Sequence, residues 1–225
     1  MLKAVFMDYY GTAAQELGPI AMEVVDRVYK SSQASSHRQV LEHWWKTYRC
    51  ALETAVGDRF RCQHEVALES FQMLQKEFQS TEDPEEMLER MEEHWCTAAA
   101  YEDVQGFLHE VGLPVYFVTN SDDRYVKESI QENHLQLAGV ITSEQARYAK
   151  PHKELFQYAL DRTGLKPQEV VHIGDSLSGD VECPAQVGIR SIWLNREDKE
   201  VPEGVTWAKD LRQALEIVKE MRQQG

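Results

Sequence analysis

The spacing of apolar residues divides the chain into two parts with different patterns. Residues 2–7 form a short apolar run that ends at Asp8, and Gly11 follows shortly afterwards. This predicts a buried strand that stops at a turn. From about residue 14 to residue 100, apolar positions recur at helical spacing and there are almost no β-branched runs. That stretch predicts three or four amphipathic helices.

After residue 101, short apolar runs alternate with helical segments. Alternation of strand and helix predicts βαβ units and a parallel sheet. The predicted fold class is therefore α/β, a Rossmann-like parallel sheet core with an inserted α-helical cap domain. The core takes residues 1–13 and 100–225, and the cap takes residues 14–99. Further strands are predicted at 115–118, 140–142, 170–173 and 189–194, and helices near 123–133, 154–163, 178–187 and 210–222.

Polar residues follow several of the predicted strands. Asp8 follows the first, Thr119 and Asn120 follow the second, and Asp175 follows a later one. Parallel sheets bind ligands at the carboxyl ends of their strands. We therefore expect these side chains to meet in one site, with the helical insertion lying above it as a lid.

Composition and charge restrict the classes of partner. The chain has 225 residues, enough for one large domain or for a core with a smaller insert. Its formal charge of −14 opposes binding to nucleic acid and to anionic membranes. No apolar run is long enough to cross a bilayer, and the first residues do not resemble a signal peptide. We expect a cytoplasmic monomer or homodimer that acts on a small-molecule anionic substrate.

Four short segments carry candidate chemistry, in the order VFMDYYGT, VYFVTNSDD, YAKPHKELF and VVHIGDSLSGDV. In the first, a carboxylate at a strand end is placed to attack an electrophile and form a covalent intermediate. In the second, a hydroxyl and an amide could hydrogen-bond an anion. The third places Lys150 just before a helix, and in the fourth Asp180 follows Asp175 closely. The same fourth segment contains His172, which we interpret as a core histidine.

Three carboxylates in one site require a cation. Asp8, Asp175 and Asp180 would repel each other by roughly 4 kcal/mol for a pair about 4 Å apart at an effective dielectric of 20. Magnesium prefers oxygen ligands and would remove much of that repulsion. Lys150 would remove more of it. The sequence therefore predicts Mg²⁺ as a cofactor.

The four segments, in this order, resemble the motifs of the haloacid dehalogenase-like hydrolase superfamily, and the resemblance covers the whole chain. It implies a helical cap inserted after the first strand, with Asp8 as the nucleophile. It also implies that Lys150 and Asp180 are catalytic residues. The metal ligands it implies are Asp8, Asp175 and the backbone carbonyl of Tyr10.

The resemblance also implies a set of substrate-binding residues. Thr119 resembles the hydroxyl that binds a transferring phosphoryl group, with Asn120 beside it. Thr12 is assigned to the same function. Arg38 lies in the cap segment, near the place where dehalogenases of the superfamily keep an arginine that binds halide or carboxylate.

One departure from the phosphatase pattern leaves the reaction open. Phosphatases of the superfamily carry a second aspartate two residues after the nucleophile, as general acid and base, and Tyr10 stands there instead. Losing such a group typically costs about 10²–10⁴-fold in rate. Dehalogenases have D-x-Y-G-T and need neither that acid nor a metal, but they typically lack an acidic residue at the position of Asp175.

These features support three hypotheses about function. The leading one is a Mg-dependent phosphohydrolase that forms a phosphoaspartyl intermediate on Asp8. The first alternative is a 2-haloacid dehalogenase that forms an ester intermediate on the same residue. The second alternative is a degenerate, non-catalytic binding protein that keeps the fold and the metal site.

Overall fold

A computed structural model describes residues 1–223. Six parallel strands form one sheet in the order β3-β2-β1-β4-β5-β6. The strands are β1 (Ala4–Met7), β2 (Val115–Thr119), β3 (Gly139–Thr142), β4 (Val170–Gly174), β5 (Arg190–Leu194) and β6 (Trp207–Ala208). The helices are α1 (Pro19–Lys30), α2 (His37–Thr54), α3 (Gln63–Phe78), α4 (Pro84–Thr97), α5 (Val104–Glu110), α6 (Asp123–Glu132), α7 (Ser143–Ala146), α8 (Glu154–Thr163), α9 (Cys183–Ala185) and α10 (Leu211–Gln223).

The central strands are buried on both faces, which explains their continuous apolar runs. In β1, Val5 and Met7 belong to an apolar cluster that also takes residues from α5 and α10. Phe6 points to the opposite face and belongs to a second cluster, which includes residues of α8. Burial on both faces fixes the register of β1 in the middle of the sheet, because a slip by one residue would exchange the two sets.

Helices α1–α4 bury a separate apolar cluster. Trp44 of α2 stacks on Phe71 of α3 with ring centroids 5.6 Å apart, and both rings belong to that cluster. Ser36 caps the N-terminus of α2, and its side chain accepts a hydrogen bond from the backbone N–H of Gln39. α4 also packs on α6 of the sheet layer, where the rings of Trp95 and Tyr125 are 5.3 Å apart. The helical insertion thus has its own core and a defined contact with the α/β part of the chain.

The predicted α/β fold class is confirmed, and the predicted strands are found within two residues of their expected limits. The helix predicted over residues 178–187 is replaced by a π-helical segment (Leu177–Glu182) followed by the short α9. Pro184 has no N–H to continue a regular ladder, and Asp180 accepts a hydrogen bond from the backbone of Ser176. The prediction missed the short elements α5, α7 and β6. Residues 224 and 225 of the predicted core range lie outside the described residues.

None of the helices in the described part of the chain combines the length and apolarity needed to cross a lipid bilayer.

Candidate active site

The sheet brings the ends of β1 and β4 side by side. Met7 is in register with Ile173, and the backbone N–H of Asp8 donates to the carbonyl of Ile173 at 2.9 Å. The chain runs from β1 outward to β2 and β3, and then returns to β4 on the other side of β1. Such a reversal of strand order opens a crevice at the carboxyl ends of the strands. Asp8 and Asp175 each follow one of the two strands that border this crevice.

Lys150 joins two of the predicted carboxylates. Its Nζ atom is 2.5 Å from Oδ1 of Asp8 and 2.7 Å from Oδ1 of Asp180, and all three side chains are buried. The side chain of Asn120 accepts from the backbone N–H of Lys150 at 2.6 Å and donates to its carbonyl at 2.9 Å. Asn120 was predicted to bind substrate, and the structure shows that its amide also fixes the loop that carries Lys150.

Asp180 is held by partners on both carboxylate oxygens. Besides Lys150, Oδ1 lies 2.8 Å from Nε2 of His172, and Oδ2 accepts from the backbone N–H of Ser176 at 3.0 Å. Burial acts to raise the pKa of Asp180, but Lys150 and His172 hold that pKa well below its usual range. Asp180 is therefore a fixed anion beside Lys150. His172 is buried, as expected of a core histidine, and Asp180 is its hydrogen-bond partner. The apolar strand around His172 gives no sign of that partner in the sequence.

Oxygen ligands for a metal converge beside this ion-pair group. One carboxylate oxygen each from Asp8, Asp175 and Asp180 lies within 4.8 Å of the others. Burial, together with the charges of Asp8 and Asp180, raises the pKa of Asp175 to about 7, and burial also raises the pKa of Asp8. An all-oxygen set of crowded carboxylates suits magnesium. Because the oxygens of Asp180 are already engaged, Asp8 and Asp175 fit the metal better than Asp180 does.

Asp175 is positioned by three neighbours. Thr12 donates its hydroxyl to Oδ1 at 2.9 Å, and the indole N–H of Trp193 donates to the Asp175 carbonyl at 2.8 Å. Gly11 has a φ of +89°, and a Cβ atom there would lie 2.7 Å from both carboxylate oxygens. Thr12, predicted to bind substrate, contacts a proposed metal ligand in this structure.

Gly11→Ala should therefore disturb the site while leaving the apolar core of the protein packed. The added methyl group would meet the Asp175 carboxylate at 2.7 Å, in a backbone conformation that favours glycine. We expect at least an approximately tenfold loss of turnover, since displacing groups at a reacting centre by about 1 Å can cost about 10²-fold. Gly106→Ala is the matched control, because nothing lies within 4 Å of its added methyl group. Equal activity of the two variants would contradict this account of Gly11.

Three other predicted residues lie outside the ion-pair group. The hydroxyl of Tyr10 donates to the carbonyl of Trp95 in α4 at 2.7 Å, and burial raises the pKa of Tyr10 well above its ordinary value. Its side chain thus links the first loop to the helical insertion. Arg38 lies on the surface of α2, with its side chain 85% exposed and paired to Glu42 at 2.7 Å. Thr119 is buried at the end of β2.

A cavity of about 240 Å³ opens beside Asp175. The residues that line it include Gly11, Glu16, Trp193, Arg196 and Lys199. Neither Glu16 nor Arg196 was predicted as a site residue. Glu16 lies in the segment that leads to the helical insertion, and Arg196 follows β5, so no motif spacing connects them to Asp8.

The chain is similar to known proteins in sequence and in fold. The profile of haloacid dehalogenase-like hydrolases matches residues 2–188. Glyceraldehyde 3-phosphate phosphatase of Methanocaldococcus jannaschii is 33% identical over 89 residues, which are 37% of this chain and 38% of that protein. (S)-2-haloacid dehalogenase 4A of Burkholderia cepacia is 23% identical over 208 residues, 87% of this chain and 84% of that protein.

The solved structures resemble the chain over nearly all of its length. The L-2-haloacid dehalogenase of Xanthobacter autotrophicus superposes with a TM-score of 0.80 at 16% identity, over 98% of this chain and 100% of that one. At this identity the likeness concerns the fold alone. The matches to the first curated relatives span only 24% to 38% of those proteins.

Proposed function

The chain belongs to the haloacid dehalogenase-like hydrolase family, and from that premise we propose that it is a Mg-dependent phosphohydrolase with a phosphoaspartyl intermediate on Asp8. The observation that carries the proposal is the Asp175 carboxylate, crowded against Asp8 and Asp180 and oriented by Thr12. A metal-free displacement does not need a third carboxylate beside Asp8 and Asp180. A phosphoryl transfer assisted by a divalent cation uses that carboxylate as a metal ligand.

Asp8 would attack phosphorus with the oxygen that Lys150 does not hold. Lys150 binds Oδ1, and no side-chain hydrogen bond to Oδ2 is present within residues 1–223. A bond forms between that oxygen and phosphorus while the phosphorus–oxygen bond to the leaving group breaks. Water then attacks phosphorus, which releases inorganic phosphate and regenerates the carboxylate. Magnesium held by Asp8, Asp175 and the Tyr10 carbonyl would offset the negative charge of the transferring group.

Lys150 and Asp180 act together in this scheme. The ammonium group holds Asp8 in one orientation and opposes the build-up of negative charge around the phosphoryl group. Asp180 and Asn120 fix the head and the backbone of Lys150, respectively. We also propose that residues 14–99 form a cap over the site that selects a small anionic substrate.

A 2-haloacid dehalogenase is the second candidate. Tyr10 favours it, because a halide leaves without a proton and that position then needs no acid. The chemistry would form an ester on Asp8 and release halide, with water hydrolysing the ester afterwards. Asp175 would have no function as a metal ligand in that reaction, so we rank this candidate second.

The proposed cofactor can be tested without activity. Magnesium should raise the melting temperature over that in EDTA, since it would bind only the folded arrangement of carboxylates. A ligand present at 100 times its Kd stabilises by about 2.7 kcal/mol, which corresponds to several degrees for a chain of this size. Asp175→Asn should lose the shift and the magnesium-dependent release of phosphate from an activated aryl phosphate. A melting temperature and a phosphate-release rate that EDTA leaves unchanged would refute the metal-dependent reaction.

A further inference from the structure

The cavity beside Asp175 has five charged residues in its lining, and four of them have partners. Asp175 accepts from Thr12, and Lys199 pairs with Glu197 at 2.5 Å. Arg196 donates to both oxygens of Asp103 at 3.0 and 2.9 Å and to the carbonyl of Thr12 at 3.0 Å. The fifth charged residue is Glu16.

The Glu16 carboxylate is free, although its backbone is anchored. Within residues 1–223, no side-chain hydrogen bond or ion pair involves its carboxylate. Its carbonyl accepts from Nε2 of the buried His94 at 2.9 Å, and the neighbouring Gln15 N–H donates to the carbonyl of Ala99 at 2.9 Å. The segment is thus fixed at the cavity that Asp175 borders, while the carboxyl group keeps its hydrogen-bonding capacity for a bound molecule.

We propose that Glu16 is the general acid and base of this reaction, in the role that Tyr10 cannot fill. Tyr10 donates its hydroxyl away from the carboxylates, to helix α4. Glu16, in contrast, shares the cavity wall with Asp175 and Gly11. The inference rests on the proposed phosphohydrolase and specifies a catalytic residue for it.

The number of protons is conserved over the two steps of the reaction. Protonated Glu16 gives its proton to the bridging ester oxygen as the bond from Asp8 to phosphorus forms and the ester bond breaks. The resulting carboxylate then takes a proton from the water that attacks the phosphoaspartyl group. Asp8 is released as a carboxylate, inorganic phosphate forms, and Glu16 ends protonated as it began.

The surroundings favour a protonated Glu16 at the start of this cycle. Protein atoms crowd the Glu16 side chain, although solvent still reaches it. This crowding raises the pKa of Glu16 to about 8, together with the charges of Asp175, Asp8 and Glu197. Lys199 acts in the opposite direction. A cation bound by Asp8 and Asp175 would offset part of their effect and bring the pKa closer to neutrality, which suits a group that both gives and takes a proton.

The test compares two phosphate monoesters that differ in leaving group. An activated aryl phosphate needs no proton donor, whereas an alkyl phosphate does. Glu16→Gln should lower kcat/KM for the alkyl ester by about 10²–10⁴-fold and that for the aryl ester by less than about tenfold. Glu203→Gln removes an exposed carboxylate that does not line the cavity and should change neither. Melting temperatures of both variants check folding, and Tyr10→Asp placed on Glu16→Gln should restore part of the alkyl activity.

The outcomes separate this assignment from the proposed function. An equal loss on both esters, or no loss on either, would overturn the role of Glu16 while leaving the phosphohydrolase intact. A natural chain that releases phosphate from neither ester would contradict the proposed function and this inference with it. A steep dependence on the leaving group that appears only in Glu16→Gln supports the proposal.

Discussion

Asp8→Asn should abolish turnover, with a loss of at least about 10⁴-fold in kcat. An amide cannot act as the nucleophile at the phosphorus atom, and no other carboxylate in the described residues combines the strand-end position with the hydrogen bond to Lys150. Rate measurements on an activated aryl phosphate would show the loss. Acid-quenched natural protein should carry the added mass of one phosphoryl group, and the variant should not.

The fold should survive this change. Asp8→Asn removes a buried carboxyl group whose pKa is raised by burial, and it leaves the ion pair between Lys150 and Asp180 in place. Asp161→Asn, on the surface of α8, is the matched control and should keep full activity. Retention of more than about a tenth of the activity by Asp8→Asn would exclude covalent catalysis at this residue.

Lys150→Met should both inactivate and destabilise the protein. The ammonium group contacts the buried carboxylates of Asp8 and Asp180, so its removal leaves two buried carboxylates without their shared cation. Breaking a buried pair in this way typically costs about 3–5 kcal/mol. Urea denaturation near neutral pH, in EDTA, measures the loss directly.

The pH dependence gives this prediction a definite sign. In the natural chain the pKa of Asp180 is lowered, so its contribution to stability is present above the unfolded pKa and is lost as pH falls through the folded one. Without Lys150, burial should raise that pKa, and the carboxyl group would then oppose folding more strongly as pH rises. The stability difference between the two proteins should therefore be larger near about pH 8 than near about pH 5.

Lys153→Met serves as the control for loss of a lysine in the same loop. Lys153 is exposed, and surface substitutions of this kind usually change stability by less than about 0.5 kcal/mol. If Lys150→Met unfolds at the same urea concentration as Lys153→Met at every pH, Lys150 does not compensate the carboxylates.

The parallel sheet could be predicted because its strands, and the polar residues that follow them, appear as local patterns in the sequence. Each strand is a short apolar run, and Asp8 and Asp175 stand directly after two of these runs. Parallel strands collect such residues at one edge whatever lies between them, so convergence could be expected without coordinates. The helical character of residues 14–99 could be predicted for a similar reason, since a repeated apolar spacing predicts an amphipathic helix.

The contacts of individual polar side chains were not predictable. Asn120 and Lys150 lie 30 residues apart, and only the fold shows that the amide pairs with the lysine backbone. Glu16 has no motif around it, and the cavity that it lines is formed by segments that lie far apart in the sequence. Arg38 was assigned by position in a resembling segment, yet the face of α2 on which it lies is exposed.

The central claim is best tested by one paired product assay on the purified protein. One arm measures phosphate release from an activated aryl phosphate with magnesium and with EDTA, and the other measures halide release from a 2-haloacid. We predict magnesium-dependent phosphate release and no halide. Metal-independent halide release without phosphate would contradict the account and would show that Tyr10, rather than Asp175, indicates the reaction.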